Sequence, residues 1–251
     1  YGHYGRTGVY DAQAMLRTLA DGLPDPERLA IARNLIREMP PTSRLRRNPL
    51  VGDHLSGGDA GLYDLLLHAQ DRAYTVPELL ALLDGAGLAV ASFIEPARYE
   101  PATYLTDRAL LARLESLPFS DRAAFAETLA GNLKTHVCYA VPKARAGKSV
   151  AALALDAIPY GRDMDFPAMA RGMVAGNPVL SASFDGLTLR MKLPRLATAM
   201  LSRIDGKRDL AEIHRLVAES AAPGMTWDAF LAEFRPLYAA FNGVNRMLLR
   251  H

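Results

Sequence analysis

Residues Tyr74–Pro96, YTVPELLALLDGAGLAVASFIEP, set the reading of the first half of the chain. Thr75 stands where a helix N-cap belongs. Pro77 and Glu78 follow in the first turn, where a missing N–H and a negative charge are both favourable. Leu79, Leu80, Leu82 and Leu83 give one apolar side with i, i+3 and i+4 neighbours. Gly85 and Gly87 stop the helix, since either takes the left-handed conformation a helix end needs. Leu88–Ile94 is an apolar run too short for a helix. With both faces apolar, it is expected to be a strand inside a covered sheet, ended by Pro96.

Working outward, two helices precede this stretch. Asp11–Ala20 places Met15, Leu16 and Leu19 on one side. Asp25-Pro26-Glu27 starts a second helix with Ile31, Leu35 and Ile36 as its stripe, ended by Pro40-Pro41. Residues 42–73 form a long polar connection, of a length that is usually functional or mobile. Its Arg44–Arg47 run, RLRR, reads either as a phosphate or carboxylate contact or as a solvated face. Gly57–Gly61 follows no strand and is no phosphate loop. Downstream, Thr106 is expected to cap a helix carrying Leu110, Leu111, Leu114 and Leu117. Ser120 is expected to cap another, with Phe125 and Leu129 on its stripe and Gly131 at its end. His136–Val141, HVCYAV, reads as a second buried strand, with Cys138 a small core residue and His136 structural.

Composition sets outer bounds. The chain has 251 residues, 50% hydrophobic and 22% charged, an ordinary globular balance. A formal net charge of +2 points to neither nucleic acid nor a membrane surface. A single cysteine forbids an intrachain disulfide and suits a reducing, cytoplasmic compartment. No signal peptide is visible, and no stretch approaches the ~20 apolar residues of a membrane span. The chain opens without Met on YGHYGRTGVY, with Gly2, Gly5 and Gly8 at spacing three, and is read as truncated, starting in a loop after a strand. These glycines are not the G-x-G-x-x-G fingerprint. A chain reversal and a ligand-facing loop both remain open for them.

The helix, the A-G-L turn and the strand together resemble the last crossover of class I S-adenosylmethionine-dependent methyltransferases. There Y-T-x-x-E-L-x-x-L-L-x-x-A-G-L leads into the sixth strand. Here it stands as Tyr74, Thr75, Glu78, Leu79, Leu82, Leu83, Ala86, Gly87 and Leu88. LLLHAQDRAYTVPEL ahead of it strengthens the likeness, which covers roughly residues 1–143. HVCYAVPK is similar to the family's last strand, which lies antiparallel beside the sixth. Y-G-x-Y-G-R-x-G-V-Y is similar to the segment after the fifth. The resemblance implies the C-terminal part of a Rossmann-like α/β sheet with covering helices, over residues 1–146. It also implies methyl transfer from S-adenosylmethionine. The family's glycine loop after the first strand and its acid after the second do not occur here. No cofactor-binding residue is therefore assigned, and the chain alone is expected to be inactive.

Beyond the linker at 144–150 the pattern changes. Asp185-Gly186 is a hairpin signal, and Leu187, Leu189, Met191 and Leu193 alternate with polar residues as a half-exposed strand. Arg195–Ile204, Asp209–Ser220 and Trp227–Phe241 read as helices, and Asn245–Arg250 as a final strand. This order resembles small winged-helix accessory modules, so residues 147–251 are expected to form a small α+β winged-helix-like domain. Its second helix offers only His214 and Arg215 against Glu212 and Glu219. Packing or a protein partner is therefore expected, not DNA.

The resemblance places the substrate where two loops converge at the carboxyl edge of the sheet: Tyr1–Thr7 and His68–Tyr74. Together they offer His3, Tyr4, Arg6, His68, Asp71 and Arg72. Imidazole or phenol serves as a base and guanidinium as a carboxylate or phosphate clamp. Arg6 and His68 sit at the centre of the family-like phrases. The catalytic residue is not assigned, and the substrate is a small molecule or a protein. The competing class is a non-enzymatic interaction protein acting through the helix–turn–helix module. Six histidines with no H-x-x-x-H pair give a metal no local support, and no G-x-S-x-G elbow or P-loop occurs.

Overall fold

The structure, a computed structural model, describes residues 1–173 and 178–251. Its helices in chain order begin with α1 (Val9–Ala20), α2 (Asp25–Glu38), α3 (Arg44–Arg47), α4 (Asp53–Ser56), α5 (Gly58–Leu62) and α6 (Val76–Gly85). Then come β1 (Leu88–Phe93), α7 (Arg108–Glu115), α8 (Phe119–Ala130), β2 (Cys138–Pro142), β3 (Ile158–Gly161) and α9 (Phe166–Gly172). The chain closes with β4 (Val179–Phe184), β5 (Leu187–Lys192), α10 (Ala197–Leu201), α11 (Leu210–Ser220), α12 (Trp227–Gly243) and β6 (Met247–Arg250). The architecture is mixed α/β. The named strands pair only as three two-stranded antiparallel sheets: β1 with β2, β3 with β6, and β4 with β5.

The described residues divide into two compact units, Tyr1–Leu79 with Glu127–His136, and Leu80–Ala126 with Val137–His251. The position 146/147 falls inside the second.

In the first unit α1, α2 and the following turns enclose a core of Val9, Leu16, Ala32, Met39, Leu45, Val51 and Leu62 with Leu65–Leu67. The face expected for α1 is corrected: Leu16 is buried, but Met15 and Leu19 are exposed, and Val9, Ala12, Gln13 and Ala20 complete the buried stripe. Small residues there let the helix approach closely. Tyr63–Leu67 winds as a π-helix, a form whose weaker backbone ladder needs outside partners. Gln13 Nε2 donates to the Leu65 carbonyl at 2.9 Å and Arg28 Nη2 to the Leu67 carbonyl at 2.9 Å. The arginines of the Arg44–Arg47 run are exposed, as the solvated-face reading requires, and each also has a local contact. Arg46 and Arg47 donate to the Met39 and Pro41 carbonyls, and Arg44 pairs with Asp11 at 3.5 Å.

The start of α6 is a reciprocal capping box: the Thr75 amide donates to Glu78 Oε2 at 2.8 Å, and the Glu78 amide to Thr75 Oγ1 at 3.4 Å. Those contacts from Thr75 hold the Glu78 carboxyl below the ordinary value. Gly87 turns the chain at φ 73° into β1. β1 runs antiparallel to β2, from Leu88 opposite Pro142 to Phe93 opposite Cys138, with an irregularity between Val90 and Ser92.

The expectation of fully covered strands is corrected. Most of β1 is half-buried and Tyr139 in β2 is 63% exposed. A two-stranded ribbon leaves edges and part of each face open. α7 is capped by Asp107, not Thr106: its Oδ1 accepts the amides of Ala109 and Leu110 at 2.8 and 3.0 Å. α8 buries Ala123, Ala126 and Glu127, while Phe125 and Leu129 stay exposed.

The second unit's core is built from Phe166, Met200, Leu201, Ile204, Leu210, Ile213, Phe230, Phe234 and Phe241. Asp185 and Gly186 carry φ of 42° and 82°, the two positive values that a two-residue hairpin turn requires between β4 and β5. Asp209 caps α11 and Thr226 caps α12. α10 is shorter than expected, Ala197–Leu201, and the final strand β6 pairs with β3, a strand with no clear sequence signal. Arg98 is buried beside β1 and reaches the hairpin turn. Its Nη2 donates to Asp185 Oδ2 at 2.7 Å and its Nη1 to Glu95 Oε2 at 3.3 Å.

Candidate functional site

The glycine-rich start of the chain is held by close backbone approach. The Gly2 amide donates to the Lys134 carbonyl at 2.7 Å and the Gly5 amide to the Leu133 carbonyl at 3.0 Å. A Cβ on Gly2 or Gly5 would lie 2.2 or 2.5 Å from that backbone, and one on Gly8, at φ 88°, 2.1 Å from the Leu45 nitrogen. Spacing three therefore serves packing: each glycine meets another segment's main chain. Gly2 also bridges Tyr74 in parallel, with the Tyr74 amide donating to the Tyr1 carbonyl at 2.9 Å and the His3 amide to the Tyr74 carbonyl at 3.1 Å. The two loops expected to converge do meet, but through this isolated bridge: the unit that holds them contains none of the named strands, so the expected sheet edge is not what brings them together.

At their junction Arg6 Nη2 meets Asp71 Oδ2 at 2.5 Å, with side chains only 8% and 3% exposed. Gln13 Nε2 donates to the same oxygen at 3.0 Å, and the Tyr10 hydroxyl to Asp71 Oδ1 at 3.2 Å. The Arg6 guanidinium also lies 3.9 Å from the centre of the Tyr1 ring. Burial pushes the Tyr10 phenol up to about 12, with Arg6 opposing and Asp71 reinforcing the rise. Arg6 and Asp71 are thus a buried clip that joins the loops and faces its own partners.

The other expected residues are more open. His68 is exposed, and its Nδ1 accepts the Gln70 amide at 3.1 Å. With that lone pair engaged, neutral His68 carries its proton on Nε2 and offers a donor, not a base. Arg72 is exposed and stacks over Tyr74 at 4.6 Å. His3 and Tyr4 meet edge to face at 5.1 Å. His68 lines a small cavity of about 180 Å3 with Gln13, Arg17 and Arg28.

A second buried network supports Tyr74–Val76. Glu127, fully buried, accepts the Val76 amide on Oε2 at 2.8 Å. His136 Nε2 lies 2.9 Å from the Tyr74 carbonyl and 3.2 Å from Glu127 Oε1. Both are acceptors, so Nε2 carries the proton. Sequence reasoning missed Glu127, Gln13 and Tyr10. For Glu127 the available signal was a lone carboxylate three and four residues from alanines on a helix face.

No family model matches this sequence. No group of three or more His, Cys, Asp or Glu able to hold a metal occurs among the described residues, and none of their helices is long and apolar enough to cross a membrane. Cys138 is half-buried, and burial pushes its thiol above the ordinary value, the state of an unreactive cysteine.

Proposed function

We propose that this chain is the substrate-side, C-terminal portion of an S-adenosylmethionine-dependent methyltransferase with a Rossmann-like parent sheet. The single observation that carries the reading is the run of α6, the Gly87 turn, β1 and the antiparallel return strand β2. It has the order and strand sense of the family's sixth and last strands. The cofactor does not fit the residues present. The glycine segment is filled by backbone at Leu133 and Leu45, and its Gly2 and Gly5 amides are already donated. We therefore assign no cofactor contact here. The chain's own contribution is to fix the Tyr1–Thr7 and His68–Tyr74 loops through Arg6 and Asp71. His3, Tyr4, His68 and Arg72 are left to meet a small-molecule or protein substrate.

Residues 147–251 are read as a winged-helix-like accessory module for packing or a protein partner. Three basic groups of the helix–turn–helix region are engaged locally. Arg215 pairs with Glu219 at 2.8 Å, Arg208 with Asp205 at 3.3 Å, and His214 Nε2 lies 2.8 Å from the Met225 carbonyl.

Two arms test the proposal. Calorimetry on the 251-residue chain should show no micromolar binding of S-adenosylmethionine. A polypeptide that adds the sequence encoded ahead of Tyr1 should transfer labelled methyl from S-adenosylmethionine to components of a cell extract. Tight binding by the chain alone, or no transfer by the longer polypeptide, overturns it. The second result would favour a non-enzymatic interaction protein.

A further inference from the structure

The cavity that His68 lines in the first unit has a volume of about 180 Å3, below the range of drug-sized ligand sites, so it suits a molecule of few heavy atoms. One wall is a face of α1 that carries Gln13, Arg17 and, at the C-cap, Asp21, one helical turn apart. Residues 66–69 and Arg28 stand among the other walls.

Gln13 is only 3% exposed. Its Nε2 donates to the Leu65 carbonyl and to Asp71 Oδ2, both acceptors, which fixes the orientation of the amide. Its Oε1 has no hydrogen-bond partner among the described residues and is not closed off from solvent, and this cavity is the space that Gln13 borders. A nearly buried carbonyl oxygen left open in this way calls for a donor. Arg28 is held from several sides: Nη1 donates to Asp25 Oδ1 at 3.0 Å and to the Tyr63 hydroxyl at 3.3 Å, and Nη2 to the Leu67 carbonyl at 2.9 Å. A guanidinium has five N–H groups, so one on Nη2 and the one on Nε stay unspent. Neutral His68, with Nδ1 accepting the Gln70 amide, adds an Nε2 donor.

The charges around the cavity balance without all being paired. Asp25 neutralises Arg28 at 3.0 Å. Arg17 and Asp21 form no ion pair with each other or with any other of the described residues. The walls thus offer donors to an anion and acceptors to a cation, with no net charge of their own. We propose that this cavity binds a small zwitterionic amino acid, its carboxylate taken by Arg17, Arg28 and His68 and its ammonium by Gln13 Oε1 and Asp21. Leu16, Ala20 and Leu66 leave its side chain an apolar surface. The inference rests on the proposed function for calling this molecule a substrate, and its binding is measured without methyl transfer.

The probe is L-alanine, with propionate lacking the ammonium and ethylamine lacking the carboxylate. In the full chain, L-alanine should shift the His68 ring resonances saturably and bind on the order of tenfold more tightly than either comparator. Arg17→Gln, at an exposed position, should weaken L-alanine binding on the order of tenfold and leave the thermal midpoint nearly unchanged. The wild-type comparison needs no variant, so it decides the matter even if Arg17→Gln fails to fold. An affinity no greater than that of propionate or of ethylamine, an affinity unaltered in a folded Arg17→Gln chain, or no saturable shift at tens of millimolar L-alanine overturns the site. Methyl transfer by the longer polypeptide without L-alanine binding would overturn this site alone. Binding without transfer would overturn the methyltransferase reading and leave the site standing.

Discussion

Arg6 and Asp71 stand sixty-five positions apart in sequence, yet their side chains meet at 2.5 Å in a buried contact. Removing one member of a buried pair leaves the other charge uncompensated. Arg6→Ala is expected to lower the free energy of unfolding by about 3–5 kcal/mol. Denaturant unfolding checks it, and an unchanged midpoint would show that the pair contributes little. Lost activity in Arg6→Ala would therefore be inseparable from lost structure, so this variant is no probe of substrate binding. His68→Ala, at an exposed position, should leave stability nearly unchanged, so a loss of activity there would report on the site itself.

Tyr10 gives the network an alkaline signature. The folded chain holds the phenol proton up to about 12, whereas the unfolded chain gives it up near the ordinary value of 10.0. Between these the folded state binds more protons. Stability from this group is therefore full below pH 10.0 and falls as pH rises toward about 12. Unfolding curves of the wild type and Tyr10→Phe across that window should differ in slope, the variant being flatter. Parallel curves would show that Tyr10 titrates alike in both states.

Gly8 and Gly22 separate backbone strain from steric overlap. Both have positive φ, 88° and 76°, but a Cβ on Gly22 meets nothing within 4 Å while one on Gly8 meets the Leu45 nitrogen at 2.1 Å. Gly22→Ala should cost about 1–2 kcal/mol from the backbone alone. Gly8→Ala should cost about 1–3 kcal/mol more, because the 44–47 segment must move. Equal losses in chemical denaturation would mean that this segment yields freely.

The helix–turn–helix region should not retain duplex DNA. Asp205 accepts the Lys207 and Arg208 amides at 2.9 and 3.0 Å, and these contacts, the Arg208 amide first, hold its carboxyl below the ordinary value. The Arg208 guanidinium is also paired, with Asp205 at 3.3 Å and Glu212 at 3.4 Å, so one of the turn's two cations is locally neutralised. A mobility shift with the full chain at moderate salt is the measurement. Retention that falls steeply with salt would reveal phosphate contacts and overturn the expectation.

Features fixed by neighbours in sequence were legible. The Thr75–Glu78 box, the Asp185-Gly186 turn, the return strand at Cys138–Pro142 and the helices of the C-terminal half all rest on local rules of capping, turn chemistry and periodicity. That the Tyr1–Thr7 and His68–Tyr74 loops meet was also expected, though the sheet edge assigned to the meeting was not found in their unit. What was not legible depends on tertiary packing. Nothing local says that α1 buries Ala12 and Gln13 while exposing Leu19, because that choice belongs to the π-helical segment packed against it. The pairing of Asp71 with Arg6, not with adjacent Arg72, follows from backbone approach at Gly2 and Gly5.

The Arg98–Asp185 contact has a practical consequence for anyone wishing to study the C-terminal part alone. An excision after residue 146 leaves Arg98 in one piece and Asp185 in the other, eighty-seven positions away. The 2.7 Å contact between the Arg98 guanidinium and the acid of the hairpin turn would be lost to both products. β2 and β3 would be parted as well, so neither product keeps the second unit whole. Recombinant pieces cut there should be judged by their solubility and refolding before any function is read from them. A severed gene is not the same as a separable module.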